Sequence, residues 1–71
     1  MKKPFIKTTW MAVEPGDIAL LPRLSLNAIV EVLIVSCAIA DDRAAIIFEF
    51  GGCREGRICD MRETVYVQSR L

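Results

Sequence analysis

The sequence contains no histidine. Histidine is the commonest general acid–base residue in enzymes and the commonest metal ligand, so its absence removes the usual route to both kinds of site. The three cysteines are an odd number in a short chain, which argues against the disulfide framework of a small secreted domain. We therefore predict a non-enzymatic protein with no metal site and no cofactor.

The chain also has no net charge and no long apolar run. Nine basic side chains balance nine acidic ones, so the strong positive field that dominates nucleic-acid affinity is missing. The longest apolar stretch, 28–40, has thirteen residues and includes Glu31 and Ser36, whereas a membrane span needs about 20. Pro4 follows the basic start, and no apolar signal-peptide run comes after it. We expect a cytoplasmic protein that does not enter a membrane.

Apolar side chains, by contrast, are in excess, because 54% of the 71 residues are hydrophobic. Soluble domains are about 45–50% apolar even when glycine is counted. A chain this short makes one domain, here residues 1–71, and buries only about 60% of the surface that its unfolded form exposes. One small core cannot shelter the excess, which predicts a surface shared with a second copy.

Turn signals divide the chain into short runs rich in β-branched and aromatic residues, a pattern typical of an all-β domain. The predicted strands are 5–13, 18–21, 29–39, 44–50, 57–61 and 64–68, the first of them an N-terminal extension within 1–13. Pro22 is expected to stop the second strand. Turns are expected at 14–17, 41–43 and 62–63, a bulge or bend at 51–52, and a hairpin turn at 54–57 with Gly56 in the left-handed conformation.

The stretch 29–39 admits a second interpretation, because its apolar residues would occupy both faces of either a strand or a helix. Six of its eleven residues are β-branched, which costs helix propensity and favours a strand. The alternative is a buried helix over 28–40, capped by Asn27, in an α+β fold.

From Pro15 onward the pattern resembles a small SH3-like β-barrel of the KOW or Tudor kind. Three stretches carry the resemblance: Pro15–Leu21 is similar to the opening Gly-Asp strand of such barrels, Ile29–Phe50 to their two long central strands, and Gly56–Val67 to their closing strand, 3₁₀ turn and last strand. The resemblance implies a barrel of about five strands, to which the N-terminal strand is added. SH3-like folds serve many functions, so it implies no particular one.

One enzyme of this architecture is the small plasmid-type dihydrofolate reductase, a tetramer whose catalytic residues surround a shared pore. Its Val-Gln-Ile-Tyr signature differs from the matching strand here, Thr64-Val65-Tyr66-Val67-Gln68. A small-molecule or enzymatic site formed between subunits is therefore kept as the alternative function. In its size, its neutrality and its lack of motifs, the chain is also similar to orphan proteins of mobile bacterial gene cassettes.

The predicted central strand supplies the candidate interface for self-association. With regular alternation, Leu33, Val35 and Ile39 share one face, and only the opposite face meets the core of a one-layer barrel. Leaving these three side chains in water would forgo about 1.5–3 kcal/mol each. Trp10 is a further candidate, because tryptophan is a frequent anchor of interfaces, and packing in the core is its alternative role.

Positive side chains supply a candidate nucleic-acid site, made of Arg54, Arg57 and Arg62 near the predicted hairpin with Lys7 in the N-terminal strand. Arginine binds phosphate through paired hydrogen bonds. Acidic residues alternate with these arginines, so a solvated, salt-bridged edge is the competing interpretation. We predict a homo-oligomeric binding module whose partner is a protein or a nucleic acid.

Two cysteines near the same hairpin are candidates for a redox or metal-binding role. Cys53 and Cys59 would lie roughly diagonally on adjacent strands if 54–57 is a hairpin turn. Five residues separate them, unlike the Cys-x-x-Cys spacing of redox dithiols, so ordinary packing is their expected role.

Overall fold

A computed structural model describes residues 3–70, apart from the side chain of Leu24. It contains a single sheet of six antiparallel strands in the order β1-β6-β2-β3-β4-β5, and 3₁₀ helices at Trp10–Ala12 and Leu24–Leu26. The strands are β1 (Phe5–Thr9), β2 (Ile18–Arg23), β3 (Ala28–Ala40), β4 (Arg43–Phe50), β5 (Cys53–Asp60) and β6 (Thr64–Gln68). The predicted all-β class is confirmed.

The sheet curls over the core without closing into a barrel. Arg23 of β2 and Glu55 of β5 form an ion pair although two strands lie between them in the sheet. Within residues 3–70, however, β1 and β5 each hydrogen-bond to one neighbouring strand only. The result is a bent sheet with two open edges, so the expectation that the strands close into a barrel is wrong.

The long segment Ala28–Ala40 is a strand, so the α+β alternative with a helix at 28–40 is wrong. Its first half pairs with β2 and its second half pairs with β4, which makes β3 the centre of the sheet. The β-branched residues that favoured a strand here pack well on a pleated surface.

A bulge divides β3 into two halves. Ile34 lies opposite Phe48 and Ser36 lies opposite Ile47, so Val35 is an extra residue without an opposite partner. One additional residue reverses the alternation of side chains between the faces. Ile34 therefore points into the core before the bulge, and Cys37 points toward the core after it.

The hairpin turns have positive φ at both central residues, as type I′ turns require. Asp41 and Asp42 make the β3–β4 turn with φ of 50° and 62°, and the turn predicted there is confirmed. Gly51 and Gly52 make the β4–β5 turn with φ of 60° and 81°. The hairpin turn predicted at 54–57 is wrong, because Gly56 lies inside β5. The bulge or bend expected at 51–52 is a two-residue hairpin turn, which two adjacent glycines adopt without steric cost.

Two predicted strand ends are also corrected. The first strand ends at Thr9, because a 3₁₀ turn begins at Trp10, whose side chain is buried. Pro22 lies within β2, opposite Ile29 of β3. The pairing of β6 with β2 stops at Leu20, so Pro22 lies where β2 is locally an edge strand. The backbone N–H that proline lacks is therefore not needed for a hydrogen bond to β6.

The core fills the inner face of the curled sheet. Trp10 is its largest side chain and is only 1% exposed. The other buried apolar residues come from the 10–17 connection and from β2, β3, β4 and β6: Val13, Ala19, Leu21, Val32, Ile34, Ala44, Ile46, Phe48, Val65 and Val67.

An ion pair ties the C-terminal segment to the turn before β2. The guanidinium of Arg70 donates from Nε to Oδ1 of Asp17 at 3.0 Å and from Nη2 to Oδ2 at 2.7 Å. Nη2 also donates to the carbonyl of Ala12 at 2.9 Å. Asp17 accepts a further hydrogen bond from the backbone N–H of Glu14 at 2.9 Å and is almost fully buried.

Candidate interaction surfaces

The outer face of β3, β4 and β5 carries an apolar patch, here called the outer-face patch. It consists of two rows of residues that lie opposite one another across the three strands: Ser36, Ile47 and Gly56 in one row, and Ala38, Ala45 and Ile58 in the other. Ile47 is 44% exposed and Ile58 is 69% exposed. The small residues leave a shallow depression of about 490 Å³ between these two isoleucines.

One acidic–basic pair borders each end of the patch. Arg43 lies opposite Asp60 at one end, and Glu49 lies opposite Arg54 at the other. The Nε of Arg54 donates to Oε2 of Glu49 at 3.2 Å, in contact with solvent. Leu33 lies opposite Glu49 and extends the apolar surface beyond this pair.

The predicted interface residues do not share one surface. Leu33 lies on the outer face, but Ile39 lies opposite Ala44, which is fully buried, so Ile39 belongs to the inner side. Val35 is the half-buried extra residue of the bulge. Trp10 is enclosed in the core and does not lie on the outer face. The expectation of regular alternation along β3 was therefore wrong, because the bulge reverses it.

None of the six patch residues was an interface candidate from the sequence, including three exposed members on β4 and β5, Ala45, Ile47 and Ile58. The alternation of side chains in 44–50 is a signal for two of them, because it places Ala45 and Ile47 on the face opposite Phe48. Ile58 lies in the predicted strand 57–61, but the misplaced hairpin turn separated that strand from the first half of β5.

A second surface is a groove of about 500 Å³ where β2, β5 and β6 converge. Three runs of consecutive residues line it together with Trp10: Leu20–Pro22, Arg57–Asp60 and Glu63–Val65. Consecutive residues of a strand point to alternate faces, so a groove lined in this way is bounded by strand edges. No strand within 3–70 pairs with the outer edge of β5. Such an edge offers hydrogen bonds to an extended polypeptide segment.

The predicted nucleic-acid residues are dispersed. Arg54 lies on the outer face and pairs with Glu49, whereas the guanidinium of Arg57 lies 5.4 Å from the centre of the Phe48 ring on the inner side. Arg62 lies in the turn after β5, 3.7 Å from a carboxylate oxygen of Asp42. Lys7 lies on β1, at the opposite end of the strand order. The structure therefore does not bring these four side chains into one positive surface.

The cysteines also differ from their expected arrangement. Cys53 and Cys59 lie on the same strand, about 20 Å apart at the usual rise per residue, and not diagonally on adjacent strands. Burial raises the pKa of the Cys37 thiol, and burial together with nearby Glu63 raises the pKa of the Cys59 thiol. Both thiols are therefore protonated at neutral pH and are weak nucleophiles.

Trp10 connects this region through hydrogen bonds. Its indole Nε1 donates to Oε2 of Glu63 at 3.4 Å, and Sγ of Cys37 donates to its carbonyl at 3.6 Å. These contacts satisfy polar groups at the margin of the core. Nowhere in 3–70 do three histidine, cysteine or acidic side chains gather as a metal site would require.

Comparison of the chain with protein-family models, with curated proteins and with solved structures gave no match. Within residues 3–70, no helix has the length and apolar character needed to cross a bilayer.

Proposed function

We propose that this chain is a non-enzymatic, homo-oligomeric binding module that acts in the cytoplasm and docks a second copy of itself on the outer-face patch. The carrying observation is the exposure of Ile47 and Ile58 beside small residues in the middle of a three-stranded face. Fully burying an isoleucine stabilises by about 1.5–3 kcal/mol, so covering both side chains is a substantial driving force.

The size of the patch predicts how strong the association is. Three strands are about 14 Å wide, and the seven residues from Arg43 to Glu49 are about 24 Å long, at the usual strand spacings. This footprint of roughly 350 Å² is under half of the ~800 Å² per partner in a standard stable complex. We therefore expect a weak dimer whose population depends on protein concentration.

The further partner we propose is a protein and not a nucleic acid. The groove between β2, β5 and β6 offers strand edges that suit an extended polypeptide, whereas the positive side chains are dispersed or paired with acids. As part of this proposal we assign an SH3-like arrangement to the strands β6-β2-β3-β4-β5, with β1 added at the edge of β6. The observed strand order supports that assignment.

Sedimentation velocity over about 5–500 μM tests self-association. The wild type should shift from monomer to dimer over this range, and Ile47→Glu should remain monomeric. Ile39→Glu is the matched control, because Ile39 is equally exposed at 44% but lies on the inner side of the sheet, and this variant should still associate. Circular dichroism confirms that both variants are folded.

Two results would overturn the proposal. A wild type that stays monomeric at 500 μM removes self-association, and dimerisation of the folded Ile47→Glu variant removes the outer-face patch as its surface. Fluorescence anisotropy with single- and double-stranded DNA and RNA oligonucleotides at low salt should show no saturable binding. Saturable binding that weakens with added salt would mean that the partner is a nucleic acid and not a protein.

A further inference from the structure

The outer-face patch and its borders form four rows across β3, β4 and β5. The two middle rows are the patch itself. The two end rows contain the charged side chains: one consists of Ala40, Arg43 and Asp60, and the other of Leu33, Glu49 and Arg54. On any one strand, the charges in these two rows have opposite signs. On β4, for example, Arg43 lies in one row and Glu49 in the other.

Two copies can pack face to face about a two-fold axis in only two simple ways when their strands are nearly aligned. If the axis runs along the strands, β4 covers β4 of the second copy in the same direction, and Arg43 faces Arg43. If the axis lies across the strands, β4 covers β4 in the opposite direction, and Arg43 faces Glu49. The first arrangement juxtaposes like charges and the second juxtaposes opposite charges.

We propose that two copies of the chain pack through the outer-face patch about a two-fold axis that crosses the strands, so that Arg43 faces Glu49 of the second copy and Asp60 faces its Arg54. This inference rests on the proposed self-association and adds its geometry. Packed sheets lie about 10 Å apart with strands within about 30° of alignment, a distance that these long side chains can span.

The shapes of the side chains support the same arrangement. The two middle rows face each other, so Ile47 covers Ala45 of the second copy and Ile58 covers its Gly56. Each large side chain then meets a small one, and the depression between the isoleucines accommodates the isoleucines of the partner. With the axis along the strands, Ile47 would meet Ile47 and Ala45 would meet Ala45, which leaves a clash beside a gap.

The residues of β3 fit the same arrangement as those of β4 and β5. Leu33 at one end faces Ala40 of the second copy, and Ser36 faces its Ala38. No charged side chain is placed over an apolar one in any of the three strands. Electrostatic complementarity of this kind determines the orientation of an interface more than its raw affinity.

A charge exchange between two variants tests the geometry. Arg43→Glu alone and Glu49→Arg alone each create two like-charge contacts per dimer. Exposed pairs are individually weak, so we expect about 5- to 30-fold weaker self-association for each variant. An equimolar mixture of the two variants restores both opposite-charge contacts in the heterodimer, and its affinity should return to within about threefold of the wild type.

Arg62→Glu is the matched control for the change in net charge. Arg62 is an exposed arginine like Arg43, but it lies in a turn outside the patch. This variant should associate like the wild type. Circular dichroism and thermal melting of every variant confirm that the monomer is folded.

The outcomes separate this inference from the proposed function. A monomeric wild type removes the self-association itself. A dimeric wild type whose two folded variants fail to recover on mixing, or keep wild-type affinity alone, leaves self-association standing and overturns the crossed two-fold arrangement. Recovery on mixing with unchanged behaviour of Arg62→Glu supports it.

Discussion

Replacing Arg70 by alanine should lower the free energy of unfolding by about 2 kcal/mol. Asp17 is only 7% exposed, and it would lose both hydrogen bonds from the guanidinium while keeping the one from the backbone N–H of Glu14. Removing one partner of a buried ion pair costs about 3–5 kcal/mol, because a charge is left buried without compensation. An exposed pair is worth about 0.2–1 kcal/mol. The Arg70 side chain is 53% exposed, which places the expected cost between these limits.

Thermal unfolding measured by circular dichroism, at a protein concentration where the chain is monomeric, provides the assay. For a domain of this size, 1 kcal/mol corresponds to about 4–8 °C in Tm, so Arg70→Ala should melt about 8–16 °C below the wild type at pH 7. Arg70→Lys keeps the charge but not the two-pronged geometry and should fall between the two. A double-mutant cycle with Asp17→Asn isolates the coupling between the two side chains.

The same ion pair predicts a pH dependence. Hydrogen bonds from Arg70 lower the pKa of Asp17, and they outweigh burial, which raises it. A carboxyl group whose pKa is lower in the folded state stabilises the protein fully above its unfolded value of about 3.9 and loses that contribution as the pH falls through the folded value. The difference between the wild type and Arg70→Ala should therefore be constant from pH 5 to 8 and shrink below about pH 4.

Two results would refute this reasoning. A Tm for Arg70→Ala within about 2 °C of the wild type at pH 7 would mean that water replaces the guanidinium without cost. A stability difference that persists undiminished at pH 2–3 would mean that Arg70 acts through packing and not through the Asp17 carboxylate.

Two further predictions concern the turns and the thiols. Gly52→Ala should destabilise the fold by about 1 kcal/mol, because Gly52 has a φ of 81°, which is unfavourable for alanine. Gly56→Ala should leave the stability of the monomer nearly unchanged, since the added methyl group makes only an ordinary van der Waals contact. Chemical denaturation of the two variants and the wild type measures both effects. Cys53 is exposed and should react with a thiol reagent at neutral pH well before Cys37 and Cys59, which are partly buried and whose pKa values are raised. Equal labelling rates for the three thiols would contradict the partial burial of Cys37 and Cys59.

Several elements of the fold were predictable because their signals are local. These signals are the β-branched residues of 29–39, the alternation in 44–50, and the turn residues of 14–17 and 41–43. Each of them acts within a few residues of chain. The misplaced hairpin shows the limit of such signals. Both Gly51-Gly52 and Glu55-Gly56 suit a turn, and the choice between them follows from β5 pairing with β4 over eight residues.

The candidate interface was only partly predictable for a related reason. Leu33 was identified correctly as an outward-facing residue, but Ile39 was assigned to the same face because a bulge leaves no mark in the sequence of β3. For Trp10 the sequence left two roles open, an interface anchor and a core residue. Its burial follows from a 3₁₀ turn that packs against strands distant in the sequence.

The sequence by itself determined that this chain forms β-structure and has more apolar side chain than one small core can bury, because composition and local propensity are properties of the residues. The tertiary structure alone decided which apolar residues remain on the surface and which charges border them. A shift of one residue in strand register exchanges the two faces of a sheet, and register depends on pairing between segments far apart in the chain.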